Sequence, residues 1–128
     1  MANPNIVNVT EIYGKTLQAA LTTTLTTEIL LNSGSSGKVY KINTILIANI
    51  DGTSAADASV FITKSAGSPI AIASTISIPA DATLALIDKN NSFYLEEGDN
   101  IEAGASATGD LTITISYEQI NLQLTFLF

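Results

Sequence analysis

The segment LEEGDNIE, residues 95–102, gathers Glu96, Glu97, Asp99 and Glu102 around Gly98. Hard carboxylate oxygens at that density are what calcium takes. An EF-hand loop places its acids at alternate positions around a glycine and closes on a distal Glu, and this segment does neither. In an extended chain Glu96 and Glu97 point to opposite faces. The reading favoured by the residues is a solvated acidic turn, with Gly98 at positive φ ahead of a strand; calcium at Glu96, Glu97, Asp99 and Glu102 is the lesser alternative. Asp51 and Asp57 bracket a second acidic loop, DGTSAAD, which opens on the common turn pair Asp-Gly.

Paired carboxylates also hydrolyse glycosides, given a cleft between them and aromatic side chains against which a sugar can stack. The chain has no Trp, four Tyr and four Phe, several of them on core-patterned stretches. Tyr13, Tyr40, Tyr94 and Tyr117 are the candidates for stacking on a saccharide. The commoner role of such a Tyr is to bury its ring and wet its hydroxyl.

The absences are equally informative. With no Cys and no His there is no zinc site, no thiol nucleophile and no imidazole base. With no Arg among its five cations, the chain lacks the bidentate grip on phosphate. Twelve acids bring the net charge to −7, which repels a nucleic-acid backbone. No catalytic residue and no cofactor is expected. The opening MANPNIVNVTEIYGK has neither the basic start nor the apolar run, about 7 to 15 residues, of a signal peptide. No stretch approaches the roughly 20 apolar residues that span a bilayer. Synthesis in the cytoplasm without membrane insertion is the expectation.

The elements that must position these side chains are strands. In DLTITISYEQI, Leu111, Ile113, Ile115 and Tyr117 alternate with Thr112, Thr114 and Ser116, the pattern of a half-buried antiparallel strand. Beyond Tyr117 the apolar phase moves to even positions, which predicts a bulge or a change of sheet near 118 and 119. TLQAALTTTLTTEILLN reads as strand because its β-branched Thr runs disfavour helix, and NSGSSG ends it in a turn. KVYKINTILIANI, ASVFITK, IAIASTISI, TLALID and SFYLEEGDNIEAG follow as strands separated by turn residues. In IAIASTISI, strict alternation puts Ile70, Ile72, Ser74, Ile76 and Ile78 on one face, with Pro79 as the stop. About eight to ten short strands and no helix predict an antiparallel β-sandwich, with jelly-roll topology first among the options. Its 128 residues are expected to form one domain.

The last ten residues, QINLQLTFLF, pose a separate problem. Ile120, Leu122, Leu124, Phe126 and Phe128 form an apolar strand face. Burying each such side chain is worth roughly 1.5 to 3 kcal/mol, so none is expected to stay wet. Residues 119–128 are read either as the last strand of their own sandwich or as a strand laid on a neighbouring subunit by β-addition, with those five residues as its interface.

LLNSGSSGKVYKINTILIANIDGTSAADASVFITK, STISIPADATLALIDKNNSFYLEEGDNIEA and GDLTITISYEQI together resemble small virion structural proteins of marine tailed bacteriophages, over roughly residues 28–120. YLEEGDNI and ITISYEQI carry most of that likeness; they also resemble the L-x-x-G-D-x-I strand pairs of jelly-roll modules at large. The resemblance implies a non-enzymatic β-sandwich located in the virion, made in the host cytoplasm and assembled in many copies as a homo-oligomer, with a trimer favoured. Its implied partners are the major capsid protein or other virion proteins. A capsid decoration or cement protein is the leading expectation, and a tail, neck or baseplate component the near alternative. A carbohydrate-binding module for host attachment is the competitor from another class.

Overall fold

β-Branched and aliphatic residues at alternate positions, interrupted every few residues by Gly, Asn, Asp and Ser, leave this chain little choice but short strands. A computed structural model describes residues 9–122. It contains β1 (Val9–Ala20), β2 (Thr27–Leu31), β3 (Lys38–Asn49), β4 (Ala56–Thr63), β5 (Ile70–Ile78), β6 (Thr83–Ile87), β7 (Phe93–Leu95), β8 (Asn100–Ala105) and β9 (Leu111–Leu122). No helix of the described residues is long and apolar enough to cross a membrane.

Two antiparallel sheets result. One runs β1-β9-β3-β6, with β7 also pairing with β3; the other runs β2-β8-β4-β5. The pairing is nested: β1 with β9, β2 with β8, β3 with β6 and β7, and β4 with β5 at the centre. That is a long hairpin rolled into two layers, the strand order of a jelly roll. The core lies between the layers and is filled by Ile42, Ile45 and Ile47 of β3, Val60 of β4, Ile101 of β8, and Leu111, Ile113 and Ile115 of β9.

Two sequence expectations change. The stretch TLQAALTTTLTTEILLN is two strands: β1 ends at Ala20, and residues 21–26 cross to the other sheet before β2. Leu21, almost fully buried, anchors that crossing, and its amide donates to the Leu111 carbonyl at 2.9 Å. β5 does not keep its isoleucines on one face. Its register against β4 shifts between Ala58 and Val60 and again between Val60 and Phe61, and Thr75 sits at φ 54°. Ala73 and Ile78 are therefore the buried residues, while Ile70 and Ile72 are exposed. SFYLEEGDNIEAG forms β7 and β8 on either side of the turn at 96–99, where the acidic turn ahead of a strand is expected.

The change of phase after Tyr117 produces no bulge in β9. Glu118 and Gln119 pair in regular sequence with Lys41 and Tyr40 on one side and with Gly14 and Tyr13 on the other. The irregularities sit in the partners, at the Ile42/Thr44 step of β3 and the Val9/Glu11 step of β1. Gln119 and Ile120 are both buried, so this end of β9 is covered on both faces. Ile120 pairs with Val39 and Ile12, and Leu122 pairs with Val9, so the chain through residue 122 belongs to its own sheet. Leu124, Phe126 and Phe128 lie outside the described residues.

Candidate functional site

The acidic turn is turned inward. Gly98 takes φ 85°, as its place in the turn predicts, and its amide donates to the Asn32 carbonyl at 2.6 Å. Asp99 is buried. Its Oδ2 accepts from Lys64 Nζ at 2.6 Å and from the Glu96 amide at 2.9 Å, and its Oδ1 accepts from the Ser65 amide at 3.1 Å. Glu96 also takes Lys64, at 2.8 Å. Glu97 Oε2 accepts from the Gly37 amide at 2.7 Å, and Glu102 Oε1 from the Thr63 hydroxyl at 2.8 Å. Burial pulls the Lys64 ammonium down, but hydrogen bonds and charge from Asp99 and Glu96 outweigh it and hold its pKa above the ordinary value. Glu96, Glu97 and Asp99 thus tie together loops 32–37, 64–69 and 96–99 at one end of the sandwich, and Glu102 joins β8 to β4. Among the described residues no group of three or more acids, His or Cys is placed to hold a metal ion.

Asn32 reinforces the same end. Fully buried, it donates through Nδ2 to the Lys38 and Leu95 carbonyls at 2.9 and 3.0 Å and accepts from the Ser36 hydroxyl at 2.6 Å. Asn49 plays the matching part at the other end of β3, donating to the Ser54 and Ile78 carbonyls and accepting from the Asp51 amide. Asp51 in turn accepts from the Thr53 amide and hydroxyl, which lower its carboxyl pKa. The Asp57 amide donates to Ser106 Oγ at 2.8 Å, joining β4 to the turn before β9.

The tyrosines do not converge on a sugar-binding face. Tyr40 and Tyr117 pack in the core with ring centroids 5.1 Å apart, and burial raises both hydroxyl pKa values. Tyr13 lies exposed on β1, donating to Glu11 Oε2 at 2.7 Å, and Tyr94 lies exposed on β7. A shallow surface depression of about 350 Å³ is lined by Gln18, Ala19, Ala20 and Thr112, none of them an acid or a base.

What the chain offers a partner is its sheet edges. An edge strand invites pairing unless charge, shortness or a bulge blunts it. β1 carries Glu11 and Lys15, both exposed. β2 is five residues long, carries Glu28 and shifts register between Glu28 and Leu30. β6 and β7, five and three residues long, are broken by the turn at Asp88–Asn91. β5 differs: it runs nine residues, and no charge falls between Ser65 and Ala80. Its register against β4 shifts at Ile72 and again between Ala73 and Ile76, so it is irregular like β2, but it is longer and uncharged, and along Ile70–Ala73 it leaves Ile70 68% and Ile72 38% exposed. Strict alternation places these isoleucines on one face with Ile76 and Ile78 and says nothing of the edge; the uncharged run around them is the signal that could have marked it.

No protein-family model matches the chain, and no curated protein matches it in sequence. Solved structures do resemble it. The Bacillus endospore appendages, described as a family of disulfide-linked pili, match over 96% of each chain at 12% identity with a TM-score of 0.53. The VP2 subviral particle of infectious bursal disease virus matches over 86% of this chain and 31% of that one, at 12% identity and TM-score 0.39. The Tobacco streak virus coat protein matches over 91% and 89%, at 9% identity and TM-score 0.40. At these identities the likeness to the endospore appendage protein concerns the fold alone, a two-layer β-sandwich.

Proposed function

We propose that the chain is a non-enzymatic structural subunit of a protein assembly, most concretely a decoration or cement protein on a bacteriophage capsid. The observation that carries this reading is the β5 edge, nine residues without a charge and with two exposed isoleucines. Burying those side chains against a neighbour contributes a few kcal/mol per copy, and a shell that repeats the contact multiplies it. Glu97, Asp99 and Glu102 of the acidic segment are instead engaged in hydrogen bonds that hold loops and strands together. Likeness to a pilus subunit over nearly the whole chain supports the assembly class, and the segments that resemble phage virion proteins support the virion as its setting. With no cysteine, the chain's contacts are held without disulfides.

Mass spectrometry of purified particles, followed by imaging of their surface, tests this proposal. The protein is expected in stoichiometric amount on the head exterior, in contact with the major capsid protein. Its location on the tail, neck or baseplate would replace the cement role with that of a tail component. Its absence from particles would end the virion reading.

A further inference from the structure

We propose that residues 123–128 of one copy add as a strand to the open β5 edge of a second copy, along Ile70–Ala73. This deepens the assembly reading and rests on it. β5 pairs with β4 on one side, and no described strand pairs with its other side. Its exposed stretch is uncharged and apolar, and the remaining edges carry charge, are short, or are broken. The segment QLTFLF that follows Leu122 is a match in kind. It has no charge, no Pro and no Gly, and its alternation places Leu124, Phe126 and Phe128 on one side of an extended strand. In strand addition, backbone ladder bonds supply the attachment, and alternate side chains supply the selectivity.

Reach decides between a copy's own edge and a neighbour's. Leu31, Asn100 and Thr63 lie level across one sheet, with Ile62 and Ile70 beside them, and Lys38 lies level with Asn121 across the other. The loop 32–37 joins Leu31 to Lys38, so Leu122 and Ile70 lie toward the same end of the sandwich. The two sheets are about 10 Å apart, and β9 is offset from β5 by about two strand spacings of 4.8 Å. Bridging that diagonal takes about 14 Å of the roughly 20 Å that six extended residues span. About two residues would remain, too few for a ladder. A neighbouring copy placed edge-on needs no such crossing, so all of residues 123–128 can pair. The contact joins two different surfaces, and repeating it closes a ring or extends a row.

The cysteine-free chain makes a clean test possible. Full-length chains carrying Ile72→Cys are mixed with full-length chains carrying Phe126→Cys and oxidised; a disulfide-linked dimer of the two variants is expected. Phe126→Cys mixed with Ile50→Cys, whose exposed side chain lies outside β5, is expected to give at least tenfold less cross-linked product. Ile72→Lys is expected to keep the far-UV spectrum and melting temperature of the parent and to shift its sedimentation from oligomer to monomer. Deletion of 123–128 is expected to do the same. Equal cross-linking to both cysteines, or an Ile72→Lys chain that assembles like the parent, overturns the inference. A protein found in particles that gives no Ile72–Phe126 cross-link loses this inference and keeps the assembly reading.

Discussion

Asp99 shows how little of this protein's acidity is free for chemistry. Its side chain is 1% exposed and holds an ammonium and two backbone amides, whereas its partner Lys64 is 54% exposed. Removing the acid strands two backbone amides, while Lys64 keeps Glu96 and water; removing the lysine leaves the two amide bonds in place. Asp99→Ala is therefore expected to lower the unfolding free energy by about 3 kcal/mol. Lys64→Met is expected to lower it by less than Asp99→Ala does, because the Glu96 and Ser65 amides still hold the buried carboxylate and the Lys64 side chain is already 54% exposed. Urea denaturation of the two variants checks the order, and equal losses would mean that the ion pair and not the amide bonds holds the turn. Thr75 is the second residue with a measurable peculiarity. A β-branched side chain at φ 54° costs about 1 to 2 kcal/mol, while its amide is held by the Ser59 hydroxyl at 3.0 Å. Thr75→Gly keeps that amide and relieves the strain, so a gain of about 1 kcal/mol is expected in the same measurement.

At the scale of elements, the crossing from β1 to β2 has the tightest steric demand. Gly104 of β8 lies under it so closely that an added Cβ would stand 2.4 Å from Leu25 Cα and 2.6 Å from the Thr24 carbonyl. Both are backbone atoms, so neither can swing away. Gly104→Ala is expected to cost about 3 kcal/mol or more, by overpacking. Gly14→Ala, which meets nothing within 4 Å, is expected to change stability by less than about 0.5 kcal/mol. Thermal melts of the pair check the contrast. The same crossing explains why one strand was expected from TLQAALTTTLTTEILLN. Threonine runs carry β propensity wherever they lie, and nothing local in Leu21–Thr26 announces that the next strand joins another sheet. β9 was the easiest element to read, because its odd residues meet the core from Leu111 to Tyr117. The irregularities expected at its positions 118 and 119 appear instead in β1 and β3, since pairing partners can absorb a mismatch of phase that the strand itself displays.

For the whole molecule, pH is the simplest probe. Lys64, Tyr40 and Tyr117 all have folded pKa values raised above their ordinary 10.5 or 10.0. Each contributes stability that is fully present below its ordinary value and is lost as pH rises through the raised one. Asp51 has a lowered value, so its contribution is present above about pH 3.8 and is lost as pH falls through the folded pKa. With no histidine, no side chain ordinarily titrates between pH 6 and 8. A flat urea midpoint across that range, falling above about pH 10, is the expected profile. A step near pH 7 would contradict it.

Composition and alternation by themselves determined the class of this protein: an all-β sandwich, acidic, and without the side chains that thiol, imidazole or guanidinium chemistry requires. Those properties are local or additive, and each residue reports them without reference to the rest of the chain. Only the tertiary structure decided where the acids point and which isoleucines stay outside. Asp99 is buried because Lys64, from a strand end 35 positions away, reaches it. Ile70 and Ile72 are exposed because β5 shifts twice against β4 and runs along an edge. Register and sheet order are relations between distant segments, and the period of a single strand carries neither.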